Sequence, residues 1–149
     1  MKKLLLVLLL VPMVSFGQNI EYINSKEHKR SGMPFSQATI VNGIIYLSGQ
    51  IGEVNNVVVE GGIGPETKQA LDNLKSILED MEHSVEDIFK CTCMLSNIND
   101  WPEMSKAYVE FFNRENLPAR SAFAGSGLAI GAKVEIECLA LFKGMKINK

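Results

Sequence analysis

Apolar positions follow two different periods along this chain, and the switches between them mark out its elements. Ala38–Val41 and Ile44–Leu47 are short apolar runs joined by Asn42-Gly43, a pair that favours a two-residue hairpin because both residues tolerate positive φ. The second run ends at Ser48-Gly49-Gln50, and Val57–Val59 is a further short β-branched stretch closed by Gly61-Gly62. The period then changes: Ala70, Leu71, Leu74, Ile77, Leu78 and Met81 recur at spacings of three and four, which predicts one apolar stripe on a helix. Gly64-Pro65-Glu66 opens that helix, with proline suited to the first turn and Glu66 to the positive end of the dipole. Phe89–Leu95 reads as a strand. Asn99-Asp100 caps a second helix that carries Trp101, Met104, Tyr108, Phe111 and Phe112 on one face and ends near residues 114–116. Ala119–Ala124 is a strand broken by Gly125-Ser126-Gly127, and Lys133–Phe142 is the last and longest strand. The polar stretch from Gln18 to Met33 shows no clear period and is expected to be a partly extended lead-in.

This order, strands interleaved with two helices, predicts a single α+β domain. Two helices cover one face of such a sheet. The last strand is nonetheless apolar toward its end on both faces, with Ile136, Cys138 and Ala140 on one and Leu139 and Leu141 on the other. A partner subunit is the economical cover for the second face.

The N-terminus follows a different logic. Met1-Lys2-Lys3 is a basic start, Leu4–Val14 is apolar throughout, and Ser15-Phe16-Gly17 places small residues at alternating positions. That is the pattern of a secretory signal peptide over residues 1–17, too short to span a bilayer, which takes roughly 20 residues. Residues 18–149 are then the mature domain, exported to the periplasm or secreted, and without a membrane anchor.

Composition narrows the chemistry. The 149 residues are 46% hydrophobic and 21% charged, as expected of an ordinary globular domain, and the net charge is −2 with two histidines. No basic excess is present for electrostatic binding of nucleic acid, and histidines are too few for a histidine-rich metal site. Gly61-Gly62-Ile63-Gly64 lacks the spacing of a dinucleotide loop. Cys91 and Cys93, two apart on a strand, point to one face and are poorly placed to bond each other; with Cys138 they read as small buried hydrophobes. His83, after a helix and before a turn, reads as a surface residue.

Two segments remain. In Pro118-Ala119-Arg120-Ser121-Ala122-Phe123-Ala124, Arg120 shares a strand face with Ala122 and Ala124, so a long cation lies beside two very small side chains. This describes a slot in which a planar guanidinium fork suits a carboxylate. In Lys133-Val134-Glu135-Ile136-Glu137, Glu135 and Glu137 share one face. The alternative for both segments is a solvated face with charges paired across strands, Arg120 to Glu135.

Taken together, these motifs resemble the RidA/YjgF reactive-intermediate deaminases over about Met33 to Lys143. The resemblance rests on Ser48-Gly49-Gln50-Ile51, on Gln69-Ala70-Leu71-Asp72-Asn73-Leu74-Lys75, on Tyr108-x-x-Phe111-Phe112, and above all on Pro118-Ala119-Arg120-Ser121 followed by Lys133-Val134-Glu135-Ile136-Glu137. It implies a chorismate-mutase-like mixed sheet with two helices on one face, and a homotrimer with its sites between subunits. The implied activity is cofactor-free hydrolysis of 2-imino acids to 2-oxo acids and ammonia. It further implies that Arg120 holds the substrate carboxylate, that Glu135 positions or activates water, and that Gly49, beside Ser48, lies in the backbone wall of the cleft. Phe35, Ser105 and Ala122 take the remaining pocket positions. There the family commonly has Tyr, Asn and Cys, so the carboxylate clamp is kept while the polar trim is altered. The family is usually cytoplasmic, unlike the location its leader implies for this chain. Two further readings are a non-catalytic trimer that binds small carboxylates and an RNA-cleaving protein, the latter disfavoured by the acidic charge balance.

Overall fold

The computed structural model describes residues 20–144; the signal-peptide pattern at 1–17 lies outside them. A six-stranded mixed sheet is built from β1 (Glu21–Ile23), β2 (Ala38–Val41), β3 (Ile44–Ile51), β6 (Ile88–Leu95), β7 (Ala119–Ala124) and β8 (Val134–Leu141), in the spatial order β1-β2-β3-β8-β6-β7. Two short strands, β4 (Glu53–Val54) and β5 (Val57–Val58), form a separate hairpin. Pairing within the main sheet is antiparallel except between β6 and β7, which α3 (Trp101–Phe111) connects as a crossover. The hairpin between β2 and β3 turns at Asn42 and Gly43, both at positive φ as expected.

One face of the sheet carries α2 (Ile63–Asp80) and α3. The α2 stripe Ala70, Leu71, Leu74, Ile77 and Leu78 and the α3 residues Met104 and Tyr108 pack on Ile45, Leu47, Cys93, Leu95, Ile136 and Ala140. Trp101, grouped with the α3 core face by its spacing, is instead exposed, and α3 stops at Phe111, short of residues 114–116. Neither α2 nor α3 lies over the opposite face of the sheet, where a short helix, α1 (Lys26–Ser31), contributes His28 to the cavity beside Glu135. On β8 the alternation is strict: Val134, Ile136, Cys138 and Ala140 are buried, while Leu141 is 51% exposed on the face that also carries the exposed Tyr46 and, at the other end of the sheet, Phe123.

Three expectations need correcting. The lead-in is structured: β1 pairs with β2, and α1 (Lys26–Ser31) follows, its start capped by the Ser25 hydroxyl accepting from the His28 N–H and its end by Gly32 at φ 70°. His83 is buried rather than exposed. Its Nδ1–H donates to the Met81 carbonyl at 2.7 Å and its Nε2 accepts the Lys143 N–H at 3.1 Å, while the ring stacks on Phe142. Two backbone partners and an aromatic face make burial of an imidazole favourable. Cys91 and Cys138 are cross-strand neighbours on β6 and β8 and form a disulfide, which leaves Cys93 as the free, buried thiol.

Glu66 is 3% exposed and its carboxylate accepts the Lys133 N–H at 2.7 Å, fastening the start of α2 to the entry of β8. Glu66→Ala would remove the charged partner of that N–H. The expected cost is about 1–3 kcal/mol, read as an equal loss in urea unfolding at unchanged slope. Gly52 fits this junction tightly, since a Cβ there would lie 2.3 Å from the Glu66 carbonyl oxygen.

Candidate active site

The seven residues singled out by sequence separate into two groups. The first surrounds Arg120. On β7 its register partner is Cys91 of β6, so its side chain leaves the sheet on the helix-bearing face and meets α3. There Nη2 donates to the Ser105 hydroxyl at 3.0 Å, and the guanidinium carbon lies 4.8 Å from the Tyr108 ring centroid and 5.4 Å from that of Trp101. Positions 101, 105 and 108 are one helical face, so α3 presents an aromatic and hydroxyl cradle to the cation. Ala122, two residues along on the same face, is partly buried and packs against the core. Cys93 pairs in register with Ala122; burial pushes its thiol up to about 11 while the Arg120 charge opposes the shift. Burial also raises Tyr108, with Cys93 adding to the shift and Arg120 again opposing it. Both neighbours are therefore neutral near pH 7.

Among the described residues no carboxylate lies within ion-pairing distance of Arg120. The cross-strand pairing of Arg120 with Glu135 is excluded by strand order, because β7 borders β6 and not β8. Glu135 pairs in register with Met94, three residues from Cys91 on β6, so Arg120 and Glu135 leave the sheet on opposite faces.

The second group lies across the sheet. Glu135, Gly49 and Phe35 line one cavity of about 390 Å³, together with His28, Ile51 and Ile130. A Cβ at Gly49 would fall 2.1 Å from the Glu135 Oε1, so only glycine leaves the carboxylate its place against the β3 backbone. The register shift between Leu47 and Gln50 bends β3 at this point. Asn73 of α2 supports the wall by donating to the Ile51 and Glu53 carbonyls, each at 3.1 Å. Ser48 supports it from behind. Its hydroxyl donates to the Ser36 carbonyl at 2.6 Å, and Ser48 itself is not among the cavity-lining residues.

Trp101, Tyr108 and His28 were not foreseen at the site. The first two carry a visible signal, their i, i+7 spacing around Ser105, which periodicity alone assigns to core. Among the described residues no group of three or more His, Cys, Asp or Glu is arranged to hold a metal ion.

Comparison with known proteins identifies the family. The family model described as Endoribonuclease L-PSP matches residues 27–142. The human protein named 2-iminobutanoate/2-iminopropanoate deaminase is 38% identical over 110 residues, covering 72% of this chain and 80% of its own length. Among solved structures, the Yersinia pestis protein YyfA, described as belonging to the conserved Rid protein family, superposes with a TM-score of 0.75 at 34% identity, covering 83% of this chain and 99% of that one. The Escherichia coli YjgF gene product gives 0.66 at 32% identity, over 72% and 87%. With the match running from α1 through β8, this chain belongs to the Endoribonuclease L-PSP family, the group of the RidA/YjgF proteins.

Proposed function

We propose that this protein hydrolyses 2-imino acids to 2-oxo acids and ammonia in clefts between the subunits of a homotrimer. The observation that carries the reading is Arg120, a half-buried guanidinium oriented by Ser105, Trp101 and Tyr108, with no carboxylate within ion-pairing distance among the described residues. Such a group is suited to a carboxylate supplied from outside. The names of the deaminase relatives support the reaction class.

The chemistry needs little more. A protonated imine carbon is electrophilic. With the substrate carboxylate on Arg120, water oriented by Glu135 adds its oxygen to that carbon while a proton passes to the carboxylate. The proton held by Glu135 passes to the carbinolamine nitrogen, the C–N bond breaks and ammonia leaves, and the hydroxyl gives its proton back to Glu135 as the carbonyl forms. Because Arg120 and Glu135 leave the sheet on opposite faces, one site draws the arginine from one copy and the glutamate from its neighbour. The exposed Leu141, Tyr46 and Phe123 face supports association of copies. Light scattering on residues 18–149 is expected to give three protomer masses, and a monomer at micromolar concentration would contradict the shared site.

The test is ammonia release by the purified protein from imines generated in situ. Glu135→Gln is expected to retain binding of a non-reactive 2-oxo acid and to lose turnover. Oligonucleotide cleavage without ammonia release would favour the RNA reading, and binding of the 2-oxo acid without turnover in the wild type would favour the non-catalytic one. The proposal extends to location: the basic and apolar pattern of residues 1–17 and a disulfide of the kind that persists in oxidising compartments both support work outside the cytoplasm.

A further inference from the structure

The Glu135 cavity has a wall that the reaction chemistry above does not use. His28 and Phe35 lie side by side on it, ring centroids 5.4 Å apart, with Met33, Ile51 and Ile130 as its other large apolar groups; polar side chains, Gln37 and Gln50 among them, line the rest of the cavity. The His28 Nε2 is 2.7 Å from the Phe35 carbonyl oxygen. A carbonyl only accepts, so Nε2 carries the proton and donates, and this bond fixes the backbone that aims the Phe35 ring.

The imidazole stands on a braced platform. Ser25 N donates to Gln37 Oε1 at 2.7 Å, Gln37 N donates to Asn24 Oδ1 at 3.0 Å, and Asn24 Nδ2 donates to the Ser36 hydroxyl at 3.1 Å. With the Ser25 cap on the His28 N–H and the Ser48 bond to Ser36, residues 24–28 are tied to the segment that leads into Gly49. A group held this way can set a pocket dimension, because its support does not yield when a ligand presses on it. Phe35 offers no hydroxyl, so the surface it presents to the cavity is apolar.

We propose that His28 is a positioning residue that holds Phe35 as the wall of a side-chain subsite, and that this subsite takes ligands whose apolar side chain is longer than a methyl group. The proposal rests on the functional reading above for the identity of the ligand as a 2-imino acid. It needs only a carboxylate on Arg120 to be tested. The chain has one tryptophan, and Trp101 packs on the Arg120 guanidinium, so its fluorescence reports occupancy of the arginine independently of turnover.

The experiment titrates the assembled protein with pyruvate and with 4-methyl-2-oxopentanoate, following Trp101 emission. The wild type is expected to bind the longer ligand at least roughly tenfold more tightly, in line with the worth of added methylenes in an apolar pocket. His28→Ala and Phe35→Ala should each collapse most of that ratio. His28→Gln, whose amide can still donate to the Phe35 carbonyl, should restore it. The same ratio should appear in KM for the corresponding imines. A wild-type ratio near one, a ratio unchanged in His28→Ala, or no rescue by His28→Gln would overturn the proposal. Should His28→Ala fail to assemble, the comparison of wild type with His28→Gln and Phe35→Ala still decides it. Selective binding without any ammonia release would refute the deaminase reading and leave the subsite standing.

Discussion

Replacing Arg120 with alanine is expected to slow ammonia release by roughly 30- to 1,000-fold in kcat/KM, the kinetic equivalent of about 2–4 kcal/mol for losing a charged hydrogen-bonding partner. The geometry makes the effect separable from stability. In the folded protomer the guanidinium donates to the Ser105 hydroxyl and, at 3.9 Å, to the Met104 Sδ, and rests on two aromatic faces, with no carboxylate neutralising it among the described residues. Removing it therefore leaves without a partner one hydroxyl, which is half-buried and can turn to water, and one thioether sulfur, which is only a weak acceptor. Arg120→Lys should recover only part of the activity, because an ammonium keeps the charge but cannot present two parallel N–H groups to a carboxylate. Ser105→Ala is a useful intermediate: it keeps the cation and loosens its direction, so a loss smaller than that of Arg120→Ala is expected. An Arg120→Ala protein that assembles normally and releases ammonia at the wild-type rate would remove Arg120 from the mechanism.

What the sequence could and could not disclose follows from the range of the interactions involved. The β2–β3 hairpin, the α2 stripe and the alternation of β8 are local patterns, and each appears where its period places it. The α1 helix is local too, marked by Ser25 at its start and Gly32 at its end, but none of its residues is buried, so it lacks the apolar period that makes a helix legible. Strand order is not local. Nothing within Pro118–Ala124 or Lys133–Glu137 indicates that β7 borders β6, and that one pairing decides that Arg120 faces α3 and is separated from Glu135. His83 escaped for the same reason, since its second backbone partner is Lys143, sixty residues away. The site residues themselves were legible as motifs. Their division between two faces required the register.

Removing the Cys91–Cys138 cross-link is expected to lower stability by about 2–4 kcal/mol, the usual worth of a disulfide, the chain-entropy view giving the upper end because the two cysteines are 47 residues apart in sequence. For a domain of this size that corresponds to a fall in Tm on the order of 10 °C, measured with and without reductant at fixed protomer concentration, since assembly makes Tm concentration-dependent. Cys91 and Cys138 sit opposite one another at the centre of the sheet, and Cys91 is also the register partner of Arg120. The bond thus fastens β8, which carries Glu135, to β6, which supports the arginine strand. Reduction should consequently reduce activity at temperatures below unfolding, as the covalent fastening of β8 to β6 is lost. Cys93→Ala provides the control: its thiol is buried and takes no part in the bond, so the response to reductant should persist. Peptide mapping without reduction should recover a linked pair of fragments containing Cys91 and Cys138, and denaturation without reductant should expose one thiol per chain. Three titratable thiols, or a Tm indifferent to reductant, would show that the sheet is held by packing alone.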